Sequence, residues 1–266
     1  MSNTISASAV KELREATGAG MMDCKRALEE TSGDFDEAKK YLREKGLAQV
    51  AKRSGRETTE GKVAIDFDDT HGVMVAVGCE TEPVSNNQEF FIYLERVLNA
   101  VEKHGEQAAD ELEEQRVELS AKLGENIVVR GAVRFEAAEE EVLAGYVHPP
   151  ANKIGVLLHG RGNPDIARNV AMQVAFAAPL YLTRDEVPEA EVNAERDILS
   201  KQPDLEGKPD EVKTKMVDGR IQKWLSESVL AEQTWIHDTS GKTKVGQALK
   251  EAEFEVIEFR RFALAE

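Results

Sequence analysis

Five histidines (His71, His104, His148, His159 and His237) and two cysteines (Cys24 and Cys79) are the side chains through which this 266-residue chain could do acid–base, nucleophilic or metal chemistry. A nucleophile needs a base held against it, and a metal needs His, Cys or carboxylate ligands at set spacings. None of the seven lies in such a pattern. The chain has no GxSxG, no GxxxxGK[ST] phosphate loop, no HExxH pair and no GxGxxG after a strand. The glycine pairs Gly18/Gly20 and Gly160/Gly162 are too short to specify a phosphate cradle. With 50 Asp and Glu, adjacent carboxylates are expected on any solvated surface and do not mark an acid–base pair. The sequence therefore implies no cofactor and no metal, and an enzyme would have to place its site without a motif.

The residues that stand out have the character of contact residues. Met21 and Met22 follow Gly18 and Gly20 on what reads as a loop, and methionine is the apolar side chain most adaptable at a binding surface. Thr81-Glu82-Pro83-Val84-Ser85-Asn86-Asn87 follows an apolar strand and precedes a helix, so it sits at a sheet edge within reach of a partner. Pro83 makes that loop rigid, and Ser85 or Asn86 can cap the helix that follows. His148, in Tyr-Val-His-Pro-Pro, reads as a turn residue with or without a role. Leu13 is either internal core or surface contact.

These segments need elements to hold them. Residues 8–17, 23–31 and 35–45 carry apolar residues at threes and fours and read as three short helices, with Asp23 and Asp34 as caps and Gly46 as a stop. Val63, Ile65 and Phe67 alternate with polar residues as a strand, a turn occupies 68–72, and 73–77 returns as a more buried strand. Helices are expected over 89–103 and 110–123, and a strand over 126–135. The order then repeats: strand 142–147, turn, strand 153–159, and a helix opened by Asn163 before Pro164. Residues 187–229 hold two helices with narrow apolar stripes around a Pro/Gly turn, an antiparallel hairpin that either protrudes or lies on the core. A helix at 245–252 and a strand at 254–264 follow. The fold class is α+β: a three-helix, ubiquitin-associated-like module at 1–50, a linker at 51–60, and related α+β subdomains at 61–141 and 142–266, with the hairpin inserted at 187–229.

The bulk numbers bound the function. A net charge of −16 repels phosphate backbones, so direct nucleic-acid binding is not expected. No stretch approaches the roughly 18 apolar residues of a membrane helix, and residues 1–5 do not begin a secretion signal. Two cysteines outside any CxxC pattern read as reduced thiols, consistent with a cytoplasmic protein.

The run LREATGAGMMDCKRALEETSGDFDEAKKYLREKG closely resembles the amino-terminal domain of bacterial elongation factor Ts, the nucleotide exchange partner of elongation factor Tu. GENIVVR, KIGVLL, 167–178 and GKPDEVKTKMVDGR extend the resemblance along nearly the whole chain. The resemblance implies a core of two subdomains, a helical hairpin, and release of GDP from elongation factor Tu through displacement of its Mg2+. It assigns this displacement to the loop Thr81, Glu82, Pro83 and Val84, and further partner contacts to Leu13, Met21, Met22 and His148. The family pattern at the loop is TDFV; here Glu82 stands for Asp and Pro83 for Phe, so the aromatic wedge is lacking. Family members form 1:1 or 2:2 assemblies with the partner. The rival reading is a ubiquitin-associated-like adaptor, which leaves the duplicated core and hairpin unexplained.

Overall fold

The computed structural model describes residues 5–265. Three helices open the chain: α1 (Ala7–Thr17), α2 (Met21–Glu30) and α3 (Phe35–Arg53). The Ser6 and Asp34 side chains accept from the Ala9 and Glu37 amides and so cap α1 and α3. Gly18, at φ 69°, ends α1 in the left-handed conformation that glycine adopts without strain.

Two local expectations change. Met21 and Met22 form the first turn of α2, not a loop, because Gly20 takes the cap position and Asp23 instead pairs with Lys45 at 2.8 Å. Gly46 does not stop α3, which continues to Arg53 and so takes up the first residues expected of the linker. A Cβ on Gly46 would lie 3.0 Å from that of Ala121, so the missing side chain serves a close helix–helix contact instead.

The rest of the chain builds two three-stranded antiparallel sheets. β1 (Glu60–Phe67), β2 (His71–Cys79) and β3 (Val128–Glu136) pair in the order β1-β2-β3. β4 (Glu141–Val147), β5 (Ile154–Arg161) and β6 (Glu255–Ala263) pair in the order β4-β5-β6. In each sheet the second strand is central and the third returns after a helical excursion. After β2 come α4 (Glu82–Ser85), α5 (Gln88–His104) and α6 (Glu113–Leu123); after β5 comes α7 (Pro164–Ala177). The hairpin α8 (Glu189–Ser200) and α9 (Asp210–Ser228) follows, and then α10 (Val245–Glu251).

The two sheets pack face to face. Val63, Met74, Ala76 and Val133 of the first sheet meet Leu143 and Leu157 of the second. The outer face of the first sheet is covered by Phe90, Leu94, Val97 and Val101 of α5, and that of the second by Ala167, Val170, Ala171 and Val174 of α7. The architecture is thus four layers, helix–sheet–sheet–helix. β2 is buried along all but its first residue, because it has a sheet on one side and a helix on the other, which is why it reads as an unbroken apolar run. The sheets approach closely through glycines. A Cβ at Gly155 would stand 2.4 Å from Val63 Cγ1, and one at Gly72 would stand 3.0 Å from Leu157 Cδ1.

The hairpin has its own core: Leu199, Leu205, Val217, Ile221 and Leu225 pack on one another rather than on either sheet. Arg196–Asp218 and Arg220–Asp204 ion pairs, each 2.5 Å, tie its two sides. Among the described residues no helix is long and apolar enough to cross a membrane. Both cysteines are buried free thiols.

Candidate functional site

β2 ends at Cys79, and α5 begins at Gln88 with the Asn87 side chain accepting from the Glu89 amide at 2.8 Å. Between them, what reads as a loop is a single helical turn, α4. It is anchored from below and behind. Val84 packs against the outer core of the first sheet, and the buried Ser85 hydroxyl donates to the Glu82 carbonyl at 2.8 Å. The Cys79 thiol, pushed up to about 12 first by burial and then by the Glu125 carboxylate, donates to the Thr81 carbonyl at 3.3 Å. What projects is Glu82 and Pro83, both exposed, with Phe91 and Ile92 of α5 exposed beyond them.

The start of this turn is held by residues to which the sequence assigned no role. α6 ends at Gly124, whose φ of 79° reverses the chain and swings Glu125 back toward β2. One Glu125 oxygen accepts from the Glu80 and Thr81 amides, each at 3.0 Å, and the other accepts from the Thr81 hydroxyl at 2.5 Å. Glu80 answers by accepting from the Asn126 amide at 2.7 Å and pairing with Arg56 at 3.2 Å. The Asn126 side chain in turn donates to the Arg56 carbonyl at 2.9 Å. The nearest sequence signals are Gly124 at the end of a helix and the run GENIVVR at 124–130, which extends the family resemblance but assigns Glu125 no role.

The amino-terminal module lies against α6. Lys122 of α6 runs over Gly18, where a Cβ would sit 2.3 Å from Lys122 Cε, and its ammonium pairs with Glu89 of α5 at 2.7 Å. This chain of contacts sets the α1–α2 turn beside the start of α5. Met21 and Met22 are 58% and 68% exposed there. Leu13 is fully buried with Val10, Ala27 and Leu28, so it shapes the module and offers no surface. A cleft of about 480 Å3 lies between module and α6, lined by Ala16, Leu42, Val117 and Ala121 among others.

His148 is exposed in the β4–β5 turn, its Nδ1 2.9 Å from the Tyr146 hydroxyl. That turn packs beside the start of β1: Lys62 donates to the Ala151 carbonyl at 3.0 Å, and Lys153 pairs with Glu60 at 2.5 Å. Glu60 is the strand partner of Cys79. The turn after β2 and the turn carrying His148 therefore emerge at the same end of the sandwich.

The other histidine of note is structural. Buried His159 bridges Glu141 at 2.8 Å and Glu258 at 3.4 Å, tying all three strands of the second sheet. The Ala138 amide, with His159 and Arg161, holds the Glu141 carboxyl below the ordinary glutamate range. Among the described residues no group of three or more His, Cys, Asp or Glu is placed to hold a metal ion.

The sequence pattern of the elongation factor TS family matches residues 80–266, well over half of the chain. The chain is 40% identical over 253 residues to an elongation factor Ts of Clostridium botulinum, covering 88% of this chain and 83% of that protein. It is 39% identical over 271 residues to one from Alcanivorax borkumensis, covering 97% and 93%. To one from Hahella chejuensis it is 40% identical over 271 residues, covering 98% and 92%. With its duplicated core, its hairpin and similarity along almost its whole length, the chain belongs to the elongation factor Ts family.

Proposed function

We propose that this chain is the guanine nucleotide exchange factor of elongation factor Tu, acting in the cytoplasm during protein synthesis and without covalent chemistry of its own. The observation that carries the reading is the anchored turn after β2, which presents Glu82 and Pro83 to solvent on a rigid base. A nucleotide exchange factor needs such a feature, because a flexible loop would lose in ordering entropy what it gains in contact.

The turn enters the nucleotide-binding domain of the partner and displaces its Mg2+. Magnesium bridges the phosphates in P-loop proteins and is a large part of their nucleotide affinity, so its loss frees GDP. The coupling is reciprocal: the factor favours the nucleotide-free state, and each nucleotide weakens the factor's binding as much as the factor weakens that nucleotide's, so abundant GTP expels the factor. Pro83 takes the place of an aromatic wedge. It fills the cleft less deeply, and the exposed Met21, Met22 and His148 supply contact around it. Leu13 supports that surface from within the module. The assembly is 1:1 or 2:2, with no nucleic acid or membrane in the contact.

The test is release of a fluorescent GDP analogue from elongation factor Tu of the same organism, with catalytic amounts of the chain. Release accelerates strongly. Pro83→Ala slows it, and Pro83→Phe restores or exceeds the parent rate. If the proteins bind and neither variant changes release, the turn is not the lever. Failure to bind at all returns the adaptor reading.

A further inference from the structure

We propose that Glu125 is a positioning residue for exchange: its carboxylate fixes the direction in which the Glu82–Pro83 tip leaves the sheet. The inference rests on the reading of that turn given above.

A helical turn of four residues does not hold itself, since nucleating a helix costs more than one turn returns. Its orientation is set by its anchors. Val84 fixes its depth and Asn87 fixes the start of the next helix. Neither fixes the bond rotations at Thr81, where the chain leaves β2 in extended form (φ −133°, ψ 151°) and turns. Threonine at the residue before a helix ordinarily caps it with its own oxygen. Thr81 makes no such cap; its hydroxyl donates to Glu125 instead. The consecutive amides of Glu80 and Thr81 converge on the same carboxylate. Three donors on one anion form charge-assisted bonds, about twice as strong as neutral ones. The reciprocal bond from the Asn126 amide to Glu80 locks the α6–β3 connection against the end of β2. The result is a brace between the end of β2 and the α6–β3 connection that touches neither Glu82 nor Pro83, yet determines where they point.

Without the carboxylate, Thr81 keeps only the bonds to its carbonyl from the Cys79 thiol and the Ser85 amide, its own amide and hydroxyl are released, and the turn samples several directions. The productive one becomes a fraction of the ensemble, and the maximal rate of release falls with that fraction. The module and the β4–β5 turn still provide contact, so the concentration needed for half-maximal effect changes little.

Stopped-flow release of a fluorescent GDP analogue, over a range of factor concentrations, separates the two quantities. Glu125→Ala lowers the maximal rate about tenfold while half-saturation stays within about twofold. Glu125→Gln restores most of the rate, because its carbonyl accepts the two amides and its NH2 donates to the Thr81 oxygen. Thr81→Val gives an intermediate loss of about threefold, keeping the amides and losing the hydroxyl. The proposal is overturned if Glu125→Ala keeps the parent maximal rate, or if Glu125→Gln is as impaired as Glu125→Ala. Should circular dichroism find Glu125→Ala unfolded, Thr81→Val decides, and a parent rate there overturns the proposal. Pro83→Gly separates the two levels. If it slows release and Glu125→Ala does not, the brace is dispensable; if neither does, the turn itself is not the lever and both readings fall.

Discussion

The two halves of the core begin alike and part company at one point. Each has a hairpin whose second strand is central, and each places a glycine second in that strand, Gly72 and Gly155, against the opposite sheet. Each then enters a long helix through an asparagine whose side chain accepts from the amide two residues on, at 2.8 Å in both cases. The link between strand and helix differs. In the second half it is two residues, 162–163; in the first it is eight, 80–87, including the whole of α4. The second half demonstrates that a strand-to-helix link needs only two residues. The additional turn in the first half, with its brace from Glu125, is thus more than the fold requires, and surface geometry that the fold does not require is where a partner is served.

Replacing residues 80–87 by the two-residue Gly-Asn link of the second half is the harshest way to break the comparison. Exchange falls by about 100-fold or more, the scale expected when a positioned group is lost, while cooperative unfolding in urea persists. Loss of cooperative unfolding would mean that the turn belongs to the fold after all. Next come the matched glycines. Gly155→Ala drives a Cβ into Val63 and costs about 2–3 kcal/mol, as overpacking a tight core does. Gly72→Ala meets only the movable ends of Leu157 and Leu143 and costs less than about 1 kcal/mol. Equal shifts of the urea midpoint would deny the tighter fit at Gly155.

The paired caps give a smaller effect. Asn87→Ala and Asn163→Ala each lose about 1 kcal/mol of stability, but only Asn87→Ala also slows GDP release, since it alone lies beside the turn. An equal effect on release from both would dissolve the distinction between the halves. The smallest effect concerns acid. Glu141 has a depressed carboxyl, so its stabilising contribution is complete above the ordinary glutamate value of 4.5 and is lost as pH falls below it. Glu141→Gln lowers stability at pH 7 and flattens the decline below pH 4.5 relative to the parent, as read from urea midpoints across pH; a parallel decline would remove this group from the acid response.

Much of this arrangement is legible in the residues. Threes and fours from Phe90 to Val101 give α5, alternation from Val63 to Phe67 gives β1, and Asn163 before Pro164 opens α7. The duplicated order follows from those elements. What escapes is set by contacts distant in sequence. Gly46 has the composition of a helix stop, but Ala121, against which it packs, is 75 positions away and unseen in a local window. Asp23 has the composition of a cap, yet Lys45 takes its carboxylate and a featureless Gly20 caps in its place. Leu13 has helix spacing whether it faces in or out; only the packed module decides that it faces in. Glu125 is one acid among 50, and its bonds to Glu80 and Thr81 span 45 and 44 residues. That Glu82 and Pro83 follow a strand and precede a helix could be read from the sequence, whereas the carboxylate bonded behind them could not.

The pairing of β5 with β6 has a consequence in time. Arg161 ends one strand and Glu255 begins its neighbour, with α7, the hairpin and α10 made in between. A ribosome making this chain releases the first sheet complete, and then leaves the second one strand short for more than ninety residues of synthesis. During that interval Leu157 and Met74 can meet, but the places of Phe262 and Leu264 stay vacant. The nascent chain must shield that seam, by transient packing or with a chaperone, until its last strand emerges.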